Sequence, residues 1–155
     1  KSFKNQLAEI AMRKAMTVFE ETKDRGLRLI VAADQNLVFD NIMYGKPSTI
    51  EENRTLLIRM RGSEEVYEYT GNAILLADKD RILQSINITD TARLSVDDIS
   101  DEELENYLAL GKSLSYCGGL SITDAKFVHL KEGRMSTAKG MTIEYAKELI
   151  DNLND

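Results

Sequence analysis

The middle of the chain consists almost entirely of strand-type sequence. Residues 65–70, 73–77 and 82–96 are rich in the β-branched, aromatic and aliphatic side chains that favour strands. The polar segment 78–80 predicts a hairpin between the second and third of these runs. Because helical patterns lie on both sides of this block, the chain is expected to be α/β or α+β, with a mixed sheet and flanking helices.

Four segments have helical signals. Residues 3–23 carry apolar side chains at spacings of three and four. Ser48–Glu51 and Ser100–Glu103 each match a capping box, in which a hydroxyl and a later carboxylate satisfy free N–H groups at a helix start. Thr142 is expected to open a closing helix. A last hairpin is predicted across Glu132-Gly133, between strands 126–130 and 134–137.

Size and composition exclude several classes of protein. At 155 residues the chain is expected to form a single domain over 1–155. Its net charge of −6 argues against a surface for nucleic acid. A single cysteine, Cys117, forms no internal disulfide, which favours a reducing, cytoplasmic setting. No apolar run approaches the length that spans a bilayer, about 18 residues, so no membrane partner is expected.

Asp34 is the first candidate site residue, because it directly follows the apolar run 27–33. Placed at the carboxyl end of a strand, where ligands of α/β sheets gather, it could hold Mg²⁺ or orient a water molecule. The structural alternative is an Asx turn that leads into a second short strand at 37–39. The residue pattern alone leaves both interpretations open.

Two lysines are candidate ligands for phosphate. Lys14 lies on the apolar side of the first helix, where it either snorkels to water or points into a ligand site. Lys46 stands between Gly45, which permits close backbone approach, and Pro47, which favours an extended backbone. An ammonium held in this way suits a phosphate, and the alternative is a surface lysine in a turn.

Thr70-Gly71 is predicted to end a strand, either with a β-bulge or where backbone approaches a ligand closely. Cys117 is interpreted as a small packed residue. The sequence contains no Walker A loop, no G-x-G-x-x-G motif and no Cys/His metal cluster.

Several short motifs follow one another in an order that resembles the Maf family, the septum-formation-related nucleoside triphosphate pyrophosphatases. A helix with "LAEIAMRKAMTV" precedes a strand that ends in "VAAD". There follow "YGKP", a helix, "VYEYTG", a strand pair, "ISDEELENYLALGKSL", a glycine-containing loop and a helix after "GM". The resemblance covers nearly the whole chain.

This resemblance implies a highly twisted mixed sheet with flanking helices and a central cleft, a fold related to inosine triphosphate pyrophosphatases. It also implies hydrolysis of a nucleoside triphosphate to the monophosphate and pyrophosphate, which removes non-canonical nucleotides. Mg²⁺ or another divalent cation is the expected cofactor, and a homodimer is left open.

The resemblance also implies roles for individual residues. Asp34 would bind the metal or activate water, and Lys14 and Lys46 would hold the triphosphate. The remaining residues expected at the substrate are Gly45, Thr70, Gly71, Tyr116 and Thr123.

The chain departs from the family pattern at three positions in two segments. Gln35 replaces the usual Thr after the catalytic Asp, and "SYCGGLSITD" has Tyr116 in place of Lys and Thr123 in place of Gln. Tyr116 offers a ring for stacking and Thr123 a single hydroxyl, which predicts selection by shape and broad base specificity.

The family also has an upstream strand and a Ser-rich phosphate loop, so roughly 30 to 45 further residues are expected before Lys1. These departures support an alternative function, a non-catalytic nucleotide-binding or interaction protein on the same fold.

Overall fold

The computed structural model describes residues 2–153 and contains a five-stranded sheet with helices. The helices are α1 (Phe3–Glu21), α2 (Ile50–Met60), α3 (Asp101–Ala109), α4 (Met135–Ala138) and α5 (Ile143–Leu153). The strands are β1 (Arg28–Phe39), β2 (Ile42–Tyr44), β3 (Val66–Asp78), β4 (Arg81–Val96) and β5 (Val128–Glu132). Two 3₁₀ turns, Ser113–Ser115 and Cys117–Gly119, lie between α3 and β5.

The strands pair in the order β2-β1-β3-β4-β5. The α/β class with flanking helices is confirmed, but the sheet is antiparallel where a mixed sheet was expected. Tight hairpins explain this direction: Asp40 and Asn41 turn β1 into β2, and Lys79 turns β3 into β4, all three with positive φ.

Two strands are longer than their sequences indicated. β1 continues through Asp34 to Phe39, so Asp34 lies inside a strand and not at its carboxyl end. Similarly, β3 continues through Thr70-Gly71 to Asp78. Sheet pairing therefore overrides the local signals of polar residues and glycine. The predicted strand over 134–137 is wrong: residues 135–138 form the short helix α4.

The chain divides into two compact units. Among the described residues, the first unit comprises 2–34, 70–90 and 140–153, and the second comprises 35–69 and 91–139. The prediction of a single domain over the whole chain stays a prediction.

In the first unit, alternate residues of β3 pack on opposite faces. Ala73, Leu75 and Ala77 lie in a cluster with α1, whereas Ile74 and Leu76 lie in a cluster with α5. This alternation is the two-residue period of a strand that is covered on both faces, which explains why the sequence of β3 is a continuous apolar run.

In the second unit, one buried cluster joins α2 and α3 to the strands. Members that are almost fully buried include Leu37, Leu57, Met60, Val66 and Leu94. Both capped helices contribute to this core.

The observed helix starts correct one of the two predicted capping boxes. Ser100 caps α3 as predicted, because its hydroxyl accepts from the Glu103 N–H. The cap of α2 is Thr49, one residue later than predicted, and Glu52 accepts from the backbone N–H of Ser48. Over the described residues, no helix is long and apolar enough to cross a membrane.

Candidate functional site

Lys14 and Asp34 form an ion pair in the first unit. The Lys14 Nζ lies 3.0 Å from Oδ1 of Asp34 and 3.2 Å from the carbonyl oxygen of Ala33. The Lys14 side chain is 52% exposed and that of Asp34 is 25% exposed. The lysine therefore reaches past the apolar side of α1 to a partly exposed carboxylate, and the structure brings these two predicted residues together.

The close packing of α1 on β3 explains how Lys14 reaches this position. A Cβ at Gly71 would lie 2.3 Å from the Leu7 carbonyl oxygen, so only glycine allows the helix backbone so close. Small side chains at Ala11 and Ala15, both fully buried, continue this contact. Gly71 thus admits a close approach of the α1 backbone, and its predicted place at the substrate stays a prediction.

Thr70 has no exposed surface. Its neighbour on β3, Asn72, bonds the Thr142 hydroxyl through Nδ2 at 3.3 Å and accepts from the Thr142 N–H at 3.0 Å. These contacts anchor the start of α5, so this stretch of β3 has a packing role in the first unit.

Lys46 lies in the second unit, in the loop between β2 and α2. The loop is fixed by a 2.8 Å hydrogen bond from the Gly118 N–H to the Gly45 carbonyl oxygen. Lys46 is exposed and forms no hydrogen bond or ion pair with any residue that the structure describes. Its ammonium is consequently available to a ligand.

A cavity of about 580 Å³ lies beside Lys46. Met43, Pro47 and Leu56 supply apolar walls, and Thr55 and Arg59 supply polar groups. This volume falls within the usual range for small-molecule sites, about 300–1,000 Å³.

Tyr116 and Thr123 both lie in the second unit, around the second 3₁₀ turn. The Tyr116 hydroxyl donates to the Asp124 carboxylate, and this hydrogen bond raises the pKa of Tyr116. Thr123 is exposed, and its backbone N–H donates to the Ser121 hydroxyl. The Tyr116 ring is thus held from its hydroxyl end, and Thr123 is open to solvent.

A buried polar cluster in the second unit was missed by sequence reasoning. Glu68 is 3% exposed, and its Oε2 lies 3.2 Å from the Cys117 Sγ. The same sulfur lies 3.5 Å from Oε1 of Gln35. Burial raises the pKa of Glu68 to about 8. Strand alternation was the available signal, because Glu68 stands between the inward-facing Val66 and Thr70.

The described residues contain no group of three or more His, Cys, Asp or Glu side chains that could enclose a metal ion. Asp34 offers a single hard carboxylate whose Oδ1 already contacts Lys14. Mg²⁺ is commonly held by one or two carboxylates together with substrate phosphates. This donor set therefore fits a metal that is completed by substrate, and not a metal enclosed by protein.

Comparison with known protein families matches this chain over nearly its whole length. The model of the Maf-like protein family covers residues 2–153.

The chain belongs to the Maf-like family. The resemblance that the motifs indicated is confirmed.

Relatives of this Maf-like chain have been named for their activity. It is 29% identical over 148 residues to a dTTP/UTP pyrophosphatase of Shouchella clausii, covering 94% of this chain and 73% of that protein. It is 31% identical to a nucleoside triphosphate pyrophosphatase of Gloeothece citriformis, over 93% of this chain and 71% of that protein. It is 30% identical to a nucleoside triphosphate pyrophosphatase of Mycobacterium marinum, over 79% of this chain and 57% of that protein. These names support the predicted class, a hydrolase acting on nucleoside triphosphates.

Within this Maf-like chain, one departure from the family motifs lies in the buried cluster. Gln35, which replaces the usual Thr, donates through Nε2 to the carbonyl oxygens of Thr137 and Ala138 at 3.0 and 3.1 Å. Its side chain is therefore tied into the second unit and bonds main-chain atoms of the segment that includes α4.

Proposed function

We propose that this Maf-like chain hydrolyses a nucleoside triphosphate to the monophosphate and pyrophosphate. The observation that carries the proposal is the Lys14–Asp34 pair, which α1 and an internal position of β1 hold in place. A cation beside a partly exposed carboxylate is what phosphoryl chemistry needs, because that chemistry depends on positioning and charge neutralisation more than on covalent catalysis. The names of the relatives support the same reaction.

In the proposed reaction, the oxygen of a water molecule forms a bond to the α-phosphorus. One oxygen bridges the α- and β-phosphorus atoms. The bond between this oxygen and the α-phosphorus breaks, and pyrophosphate leaves with the bridging oxygen. Asp34 orients the attacking water and accepts the proton that the water loses, which then passes to solvent. Lys14 and Lys46 provide positive charge for the phosphate oxygens.

The proposed cofactor is Mg²⁺ or another divalent cation, with Asp34 as its protein ligand. When bound, such an ion would neutralise negative charge on the phosphates. Asp34 would supply a carboxylate oxygen, and the remaining positions would belong to phosphates and water.

We assign the nucleoside part of the substrate to the second unit. Two features there support the assignment: the cavity beside Lys46 and the Tyr116 ring in the neighbouring turn. With one exposed hydroxyl at Thr123, base selection would rest on shape and stacking. Apolar recognition separates similar ligands by only about 1–3 kcal/mol, so specificity is expected to be broad. Non-canonical nucleotides are therefore within the proposed substrate range.

The test is a turnover assay with a panel of purine, pyrimidine and modified nucleoside triphosphates, with Mg²⁺, alongside binding measurements on the same panel. Release of monophosphate and pyrophosphate in equal amounts supports the proposal. Saturable binding without turnover would favour the non-catalytic alternative. A preference of several thousand-fold for one base would contradict the account of Tyr116 and Thr123.

A further inference from the structure

The buried cluster of Gln35, Glu68 and Cys117 joins three elements that also carry proposed site residues. Gln35 directly follows Asp34 in β1, and Cys117 directly follows Tyr116. Glu68 lies on β3 and contacts the sulfur at 3.2 Å, and the sulfur contacts Gln35 at 3.5 Å. A change in the hydrogen bonds of this cluster would therefore act on the backbone directly next to Asp34 and Tyr116.

The orientation of the Gln35 amide is fixed by its partners. Its Nε2 faces the carbonyl oxygens of Thr137 and Ala138, which only accept hydrogen bonds. Oε1 must then be the atom that faces the Cys117 sulfur, and Oε1 only accepts. The thiol proton is consequently needed for the contact with Gln35.

A thiol has a single proton, so it cannot donate to Gln35 and to Glu68 at once. If the thiol donates to Gln35, the 3.2 Å contact with Glu68 is a hydrogen bond only when the carboxyl group donates to the sulfur. A protonated carboxyl group has the required O–H. An ionised carboxyl group has no O–H, so it could not donate to a sulfur whose own proton is donated to Gln35.

We propose that Glu68 is a positioning residue that works in its protonated form, as the first donor of a relay through the Cys117 thiol to the Gln35 side chain. The relay ends at the two main-chain carbonyls of Thr137 and Ala138. It fixes the β1 backbone after Asp34 and the 3₁₀ turn after Tyr116. For its kinetic readout, this inference rests on the proposed hydrolysis.

The surroundings of Glu68 favour the protonated form. Its only hydrogen-bond partner among the described residues is Cys117, and no described Lys, Arg or His forms an ion pair with it. Tyr107 of α3 also interacts electrostatically with Glu68; the pKa of Tyr107 is itself raised by burial, and its hydroxyl donates to the Gly119 carbonyl oxygen. A buried carboxylate without a cation is costly, so desolvation keeps the proton on Glu68.

Loss of this proton reverses the relay. The thiol would then donate to the carboxylate and would no longer donate to Oε1 of Gln35. An uncompensated charge would also stand in the core of the second unit. Activity is therefore expected to fall above about pH 8, tenfold for each pH unit, if only the protonated form is active.

The kinetic test compares pH profiles of kcat between pH 6.5 and 9.5 for the wild type, Glu68→Gln and Glu68→Leu. Gln keeps a donor for the sulfur and does not titrate, so Glu68→Gln should be active and should lack the alkaline fall. Leu has a similar volume without hydrogen bonds and should lower kcat about tenfold at every pH. A purely structural role would leave the shape of the profile unchanged in Glu68→Gln.

A second readout does not depend on activity. The side-chain amide resonance of Gln35, assigned by its absence in Gln35→Met, is followed by NMR during a pH titration. In the wild type it should shift with a midpoint near pH 8, and in Glu68→Gln it should stay constant. If no nucleotide is hydrolysed at any pH, the proposed function fails, and this titration alone decides the inference.

Two results would overturn the inference. One is an alkaline fall in kcat that persists unchanged in Glu68→Gln. The other is a Gln35 amide resonance that does not titrate in the wild type, because the relay requires its environment to change with the proton on Glu68.

Discussion

Two carboxyl groups of this chain, Asp34 and Glu68, differ in nearly every physical respect. Asp34 is 25% exposed and accepts a 3.0 Å hydrogen bond from the Lys14 ammonium. Glu68 is 3% exposed, its hydrogen-bond partner among the described residues is the Cys117 thiol, and burial raises its pKa to about 8. One carboxylate has a cation and access to solvent, and the other group has neither.

The difference shows how environment assigns chemistry to the same functional group. A paired, solvent-accessible carboxylate is suited to a metal ion or a water molecule. A buried carboxyl group without a cation keeps its proton and is suited to donating a hydrogen bond. In this account Asp34 takes part in the reaction, whereas Glu68 supports the backbone from inside the core.

The largest expected effect is the loss of activity in Asp34→Asn. The amide has the same shape but no charge for Lys14 or a metal, so kcat/KM should fall about 100-fold or more. Steady-state kinetics of pyrophosphate release measure this loss, with thermal unfolding to show that the fold is retained. Asp24→Asn, an exposed change in the same unit, is the matched control. Unchanged pyrophosphate release in Asp34→Asn would refute the assigned role.

The second prediction concerns stability and pH at Glu68. The pKa of this group is raised from 4.5 in the unfolded chain to about 8 in the folded chain. As pH rises through this window the unfolded chain releases the proton first, so the free energy of unfolding should fall between about pH 4.5 and 8. A difference of one in pKa between the folded and unfolded chains corresponds to about 1.4 kcal/mol, so the loss should reach several kcal/mol.

Urea unfolding at a series of pH values measures this slope. Glu68→Gln should flatten it, since an amide does not titrate. Glu65→Gln is the control, because Glu65 is exposed and lies three residues earlier in the chain. If the free energy of unfolding changes with pH equally in the wild type and in Glu68→Gln, Glu68 does not titrate with a raised pKa in the folded chain.

The third prediction concerns Lys46, whose exposed ammonium is proposed to bind a phosphate of the substrate. Because this ammonium has no partner among the described residues, its removal leaves no unpaired buried group and should affect substrate more than fold. Lys46→Ala should raise KM or lower kcat/KM about tenfold, the magnitude of one charged hydrogen bond, and Lys46→Arg should restore much of it. Lys126→Ala, another exposed lysine, serves as the control. A normal kcat/KM in Lys46→Ala would remove this residue from the site.

The smallest expected effect concerns the cavity beside Lys46. Thr55 is exposed on α2 and lines the cavity, so Thr55→Trp should fill part of it without disturbing the core. KM for nucleoside triphosphates should rise a few-fold, with less change for inorganic triphosphate, which has no nucleoside part. Ile58→Trp, exposed on α2 but outside the cavity, tests for a general effect of tryptophan. Equal KM values in the two variants would place the nucleoside elsewhere.

The sequence predicted four of the five helices, all but α4, and most of the strand positions, because capping residues and apolar periodicity are local signals. The sequence wrongly predicted that one strand ends at Asp34 and another at Thr70-Gly71. Both β1 and β3 continue through these residues because of pairing with neighbouring strands and, at Gly71, packing against the α1 backbone, and neither contact can be read from local sequence. The motif order indicated Lys14 and Asp34, which the structure pairs. Glu68 and Cys117 could not be paired from sequence, because 49 positions separate them and their contact depends on the tertiary fold.

The most direct test of the central claim is hydrolysis of a nucleoside triphosphate in ¹⁸O-labelled water, with products analysed by ³¹P NMR and mass spectrometry. Attack of water on the α-phosphorus places the label in the nucleoside monophosphate and leaves the pyrophosphate unlabelled, and this is the result we predict. Label in the pyrophosphate, or formation of a nucleoside diphosphate and inorganic phosphate, would contradict the account.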